Sequence, residues 1–113
     1  MTKGNIFLAP FPYDDLSTNK VRPAVCLTNP LGAKRHVILA YITSRIPSSL
    51  LDTDIVLDTT HPEFAASGLR VSSTIRLHQL ATVSTVIIER KLGELSKDTQ
   101  AQIAKKLCKL LRE

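Results

Sequence analysis

The chain has 113 residues, 43% of them hydrophobic, and carries a formal net charge of +5 with a sequence pI near 9.5. That is enough chain for one domain with its own core, but not for two, and it is too apolar for a disordered polycation. The basic balance favours a polyanionic partner, and an acidic protein would meet the same field as a nucleic acid.

Ile6–Ala9 reads as a short strand, after which Pro10 and Pro12 each remove a backbone donor and end regular pairing. Asp14–Asn19 is polar and turn-forming. Pro23 pushes Arg22 toward an extended conformation at the mouth of a second strand, Ala24–Thr28, whose apolar run implies burial on both faces. Asn29-Pro30-Leu31-Gly32 is a turn, and His36–Ile42 a third strand ending at Thr43-Ser44. Arg45–Thr53 is a polar loop broken by Pro47, and Asp54–Leu57 a fourth strand. Asp58–Gly68 is mostly irregular, with a helical turn near Glu63–Ala66. Ser73–Gln79 alternates Thr74, Arg76 and His78 against Ile75 and Leu77, the pattern of a half-buried strand. Thr82–Arg90 is another β-rich run with Gly93 behind it. Ser96 is an acceptable N-cap, Asp98 suits the first turn of a helix, and Ile103, Leu107, Leu110 and Leu111 recur at helical spacing. That stripe is expected to pack on the sheet. The whole, residues 1–113, reads as one mainly β unit with a C-terminal helix, a small, curled antiparallel sheet.

With aromatics at 4% and no Trp, the core must be Val, Ile and Leu. The longest apolar run, Val37–Ile42, is far too short to span a bilayer, and no basic segment followed by an apolar one marks a secretion signal. The expectation is a cytoplasmic protein without a membrane partner. Cys26 and Cys108 sit in apolar patterns and read as small buried hydrophobes; without a CxxC or a His pair at helix spacing, no metal or other cofactor is expected. The Asp14-Asp15 pair lacks a third acidic ligand nearby and is better read as loop capping than as a Mg²⁺ site. His36 and His61 read as surface or loop residues.

Arg22, fixed by Pro23 at a strand start, is placed to grip a phosphate, although an arginine before an edge strand is the plainer reading of the residue type alone. Thr43 and Ser44 can donate hydroxyl protons from a strand end or simply bond nearby backbone. Arg76 and His78 are two apart on one strand and leave the same face, where they could act as a phosphate clamp and proton-transfer group or as structural residues.

Gly4–Thr28 with its Arg22-Pro23, Ala40-Tyr41-Ile42-Thr43-Ser44, Ser67-Gly68-Leu69, Ser73–Leu80 and Arg90-Lys91-Leu92-Gly93-Glu94-Leu95-Ser96 occur in this order across nearly the whole chain. In order and spacing they resemble the PemK/MazF family of toxin endoribonucleases from bacterial toxin–antitoxin pairs. The resemblance implies an SH3-like barrel, a homodimer, single-stranded RNA as substrate, and an acidic antitoxin protein competing for the RNA groove. It also implies metal-independent, sequence-specific cleavage leaving a 2′,3′-cyclic phosphate. Arg22 matches the family's phosphate-stabilising arginine, and Thr43 and Ser44 its Thr-Ser pair. Arg76 and His78 fall where the better-studied branch has an arginine and an aspartate proposed as acid and base; Gln79 keeps that branch's glutamine. The catalytic expectation is therefore Arg22, Thr43, Arg76 and His78, with Lys20, Ser44, Gln79 and Tyr13 binding substrate. His78 stands where the aspartate is missing and is a candidate base, since imidazole titrates near neutrality. Two alternatives stand beside this. One is a non-catalytic nucleic-acid-binding module on the same barrel, with Tyr13 or another aromatic for stacking. The other is a protein-directed poison like the gyrase inhibitors that share the fold.

Overall fold

The computed structural model describes residues 3–10 and 21–113. Its strands are β1 (Asn5–Pro10), β2 (Val21–Cys26), β3 (His36–Thr43), β4 (Asp54–Leu57), β5 (Ser73–Ser84) and β6 (Arg90–Glu94). A helical turn, α1 (Phe64–Ser67), lies between β4 and β5, a 3-10 turn occupies Thr85–Ile87, and the chain ends in α2 (Lys97–Arg112). The strands form a six-stranded antiparallel sheet in the order β4-β5-β3-β2-β1-β6.

The sheet curls because its two ends are tied together. The chain leaves β4 at one end and lays α1 on β6, at the other. The approach is closer than any side chain allows: a Cβ on Gly93 would run into the backbone of Ala66 and Ser67, and one on Gly68 into the Leu92 carbonyl. Gly68 also closes α1 at a φ of 74°, a left-handed conformation that favours glycine. The result is a half-barrel with a terminal helix, as the sequence pattern implies.

Two apolar clusters fill it. Ile6, Val25, Ile42, Ile75 and Leu77 on one face pack with Leu95 and with Ile103 of α2. Phe7, Ala24, Val37, Leu39 and Tyr41 form the other, joined by Ala81, Val83 and Ile88. β5 serves both through an irregularity. Arg76 pairs with Tyr41, yet Leu80 pairs with the adjacent Ala40, leaving residues 77–79 without partners on β3. The bulge reverses the facing of the strand. Ile75 and Leu77 therefore enter the first cluster while Ala81 and Val83 enter the second.

The pattern located most elements within a few residues. β5 runs to Ser84, absorbing the start of the Thr82–Arg90 run, and a separate last strand begins at Arg90. The proline signals overstate the breaks: β1 includes Pro10, and β2 begins at Val21, ahead of Pro23. Both prolines lie where pairing is one-sided, β1 with β2 only, so no second ladder is interrupted. On α2, Ser96 accepts from the Thr99 N–H as an N-cap. Ile103 and Leu107 meet the core, but Leu111 is 82% exposed, so the helical stripe is narrower than its spacing implies. No helix among the described residues is long and apolar enough to cross a membrane.

Candidate functional site

At one end of the half-barrel β2 and β3 part. β1 follows β2 down to Val21, whereas the β2–β3 ladder covers only Ala24–Cys26. Pro23 has no N–H to offer β3, so the ladder stops beside it. The separated ends open a cleft of about 730 Å³. Arg22 and Pro23 of β2, Ile42 and Thr43 of β3, and Ser44 and Arg45 beyond it form one side. Gly68–Val71, between α1 and β5, and Arg90 and Leu92 of β6 form the other. The Gly68 and Gly93 contacts that close the sheet thus also fix the position of this second wall.

Four arginines, Arg22, Arg45, Arg70 and Arg90, converge here from four separate elements. No Asp, Glu or His is among the described lining residues. Thr43 accepts the Arg45 backbone N–H at 3.3 Å, which turns the chain at the strand end and leaves the hydroxyl proton to donate. Ser44 beside it is exposed. The described cleft therefore supplies positive charge, fork-shaped donors and hydroxyls, a set suited to a phosphate group.

The structure thus brings together Arg22, Thr43 and Ser44. It does not bring Arg76, His78 or Gln79 to the cleft. Arg76 is turned the other way: its Nε donates to Asp54 Oδ1 at 3.0 Å and its Nη2 to Oδ2 at 3.3 Å. The Asp54 side chain is fully buried and also accepts the Leu51 N–H at 2.9 Å, closing the turn that ends the β3–β4 loop. His78 is exposed, within the unpaired bulge of β5. Gln79 is half-buried, with no partner for its amide oxygen. Tyr13, Lys20 and the Asp14-Asp15 pair lie outside the described residues.

The sequence shows Arg45 and Arg70 as basic residues at element ends that a groove could gather, but it does not make them, or Arg90, site residues. Arg45 directly follows the Thr-Ser pair and Arg70 the Gly68-Leu69 motif, but only the curl that brings β6 beside these loops gathers them. Elsewhere, His61 Nδ1 accepts the Glu63 N–H at 3.1 Å, a local structural role, and His36 is exposed at the start of β3. The Cys26 thiol donates to the Thr28 carbonyl at 3.0 Å, and burial pushes its pKa up. Cys108 is not the buried hydrophobe its apolar pattern implies but is exposed on α2. The Thr60 hydroxyl and N–H hold the Asp58 carboxyl below its ordinary value. No three His, Cys, Asp or Glu side chains among the described residues gather to hold a metal ion.

The family of PemK-like, MazF-like toxins of type II toxin–antitoxin systems matches residues 2–111 by its sequence model. The chain belongs to this family. Its fold is that of solved family structures. The toxin MazF-mt6 of Mycobacterium tuberculosis superposes with a TM-score of 0.69 at 21% identity, over 96% of each chain. MazF from Deinococcus radiodurans gives 0.69 at 19% identity, over 99% of this chain and 96% of that one. A mycobacterial endoribonuclease solved with its cognate antitoxin gives 0.69 at 15% identity, over 98% and 94%. No curated protein matches the sequence.

Proposed function

We propose that this protein is the toxin of a type II toxin–antitoxin pair: a sequence-specific, metal-independent endoribonuclease that cuts single-stranded RNA and leaves a 2′,3′-cyclic phosphate. The observation that carries the reading is the cleft itself, in which Arg22, Thr43 and Ser44 share one wall. In this reading the scissile phosphate sits against that wall. The Arg22 guanidinium holds the charge that builds on the phosphorane as the 2′-oxygen attacks, and it keeps its own proton throughout. Thr43 and Ser44 donate to the non-bridging oxygens. Donors fixed in this way are typically worth about 10²–10³ in rate each. Proton removal from the 2′-hydroxyl falls to a group outside the described lining, for which His78 is the sequence's candidate. As the 2′-oxygen bonds to phosphorus the P–O5′ bond breaks, and the leaving 5′-oxygen takes a proton from the protonated base or from water. A cleft of this size takes splayed nucleotides and not a duplex. An acidic antitoxin would neutralise the toxin by competing for the same arginines, and the active form would be a homodimer, as the family implies.

The test is incubation of the purified protein in EDTA with a long single-stranded RNA, the ends being mapped by primer extension. Cuts at a recurring short sequence, with cyclic-phosphate ends and lost in Arg22→Ala, are expected. A His78→Ala variant that folds but does not cut assigns the base to His78, and one that cuts normally removes it from the chemistry. RNA left intact by folded, antitoxin-free protein would refute the reading.

A further inference from the structure

We infer that Arg45, Arg70 and Arg90 form a track for the phosphates that flank the scissile one, so that the cleft binds several consecutive phosphates of a single strand and not one alone. The inference rests on the RNA reading of the cleft and assigns these three residues a role in it. Three observations carry it. The guanidiniums come from the β3–β4 loop, the α1–β5 connection and the start of β6, and all are exposed at the cleft. None pairs with a carboxylate among the described residues, where the ion pairs are Arg76–Asp54 and Lys109–Asp52, and no carboxylate is among the described lining residues. Like charges held together without a counter-charge repel, an arrangement that becomes favourable when a polyanion enters.

The third observation is size. The cleft volume of about 730 Å³ falls in the range that takes a drug-sized ligand, far more than one phosphate. Its lining also includes Leu69 and Leu92, and low-dielectric walls focus the field of the arginines into the opening. With Arg22 on the scissile phosphate, the other three guanidiniums are placed to bind the neighbouring phosphates, whose fixed charge matches theirs. Such contacts hold and orient the strand without reading its bases.

The experiment measures binding, not cleavage. Short 2′-O-methyl RNA of random sequence, which lacks the attacking hydroxyl, is titrated by fluorescence anisotropy between about 50 and 200 mM KCl. For single strands the slope of log K against log salt is about −0.7 for each phosphate neutralised, so four arginines give about −2.8. Arg45→Ala, Arg70→Ala and Arg90→Ala are each expected to flatten the slope by about 0.7, and the triple variant to leave about −0.7. Arg112→Gln, at the exposed end of α2, is expected to match wild type. Circular dichroism checks that each variant is folded. Wild type that binds with a slope the three substitutions do not move overturns the track while leaving the RNA reading intact. Wild type that does not bind this RNA at all overturns the RNA reading of the cleft and the track together.

Discussion

Removing the Arg76 side chain leaves the fully buried Asp54 carboxylate with the Leu51 N–H as its remaining donor among the described residues, in place of three. Breaking a buried pair from one side destabilises by about 3–5 kcal/mol. Arg76 is itself 22% exposed, so the pair is partly solvated and the lower end applies, about 3 kcal/mol for Arg76→Ala. Asp54→Ala is milder. The guanidinium can turn to water, and the loss is that of its charged hydrogen bonds, about 2 kcal/mol. Replacing both, as Arg76→Met with Asp54→Leu, leaves nothing charged in the site and lies within about 1 kcal/mol of wild type. Urea denaturation followed by circular dichroism measures all three at one protein concentration. The RNA cleavage assay then decides what Arg76 does. If Arg76 serves only to satisfy the buried Asp54 charge, the double variant is stable and cuts RNA within about tenfold of wild type, a difference of about 1.4 kcal/mol in barrier. A double variant as stable as wild type but inactive puts the guanidinium in the chemistry and refutes this account. So does an Arg76→Ala variant that loses less than about 1 kcal/mol.

Gly93→Ala forces α1 away from β6; a loss of about 1–3 kcal/mol is expected, read as a lowered Tm, with weaker RNA binding because the cleft wall moves with α1. Ser96→Ala removes the acceptor for the Thr99 N–H and is expected to lose about 1 kcal/mol in urea denaturation. Burial raises the Cys26 pKa above its ordinary 9.0, so the folded state holds the thiol proton more tightly than the unfolded one. Its contribution to stability is full below that ordinary value and is lost as pH rises through and above it. Tm plotted against alkaline pH should therefore fall less steeply in Cys26→Ala than in wild type. Under native conditions iodoacetamide should modify one thiol, the exposed Cys108, and the second only after unfolding, as mass spectrometry would show.

Most of the fold was legible because its signals are local: alternation in Ser73–Gln79, a capped amphipathic helix from Ser96, apolar runs between turns. The last strand was not, because Arg90-Lys91-Leu92-Gly93-Glu94 is too polar to read as β and becomes a strand only through pairing with β1 and the fit of Gly93 under α1. At the site, Arg22, Thr43 and Ser44 were legible from motifs at strand ends. The pairing of Arg76 with Asp54 was not. The arginine's spacing from His78 says which face it leaves, but its partner Asp54 is 22 residues away. Arg90 is brought near Arg22 by pairing, since β6 and β2 flank β1 at Leu8, a register the sequence does not reveal; Arg70 joins them only when α1 is laid on β6.

The bulge in β5 makes the strand's sequence pattern ambiguous in a specific way. Ile75, Leu77, Ala81 and Val83 are all odd-numbered, as though the strand had a single inner face, yet Leu77 and Ala81 look into different cores, and the parity fails only at Gln79 and Leu80, where the bulge lies. A record of which positions tolerate substitution would show the same odd-numbered rhythm on either side of the bulge. Only the company each residue keeps would reveal the break: changes at Leu77 should couple energetically to Ile103 of the helix, and those at Ala81 to Phe7 and Tyr41. Alternation reports that a residue is hidden, but not from which side.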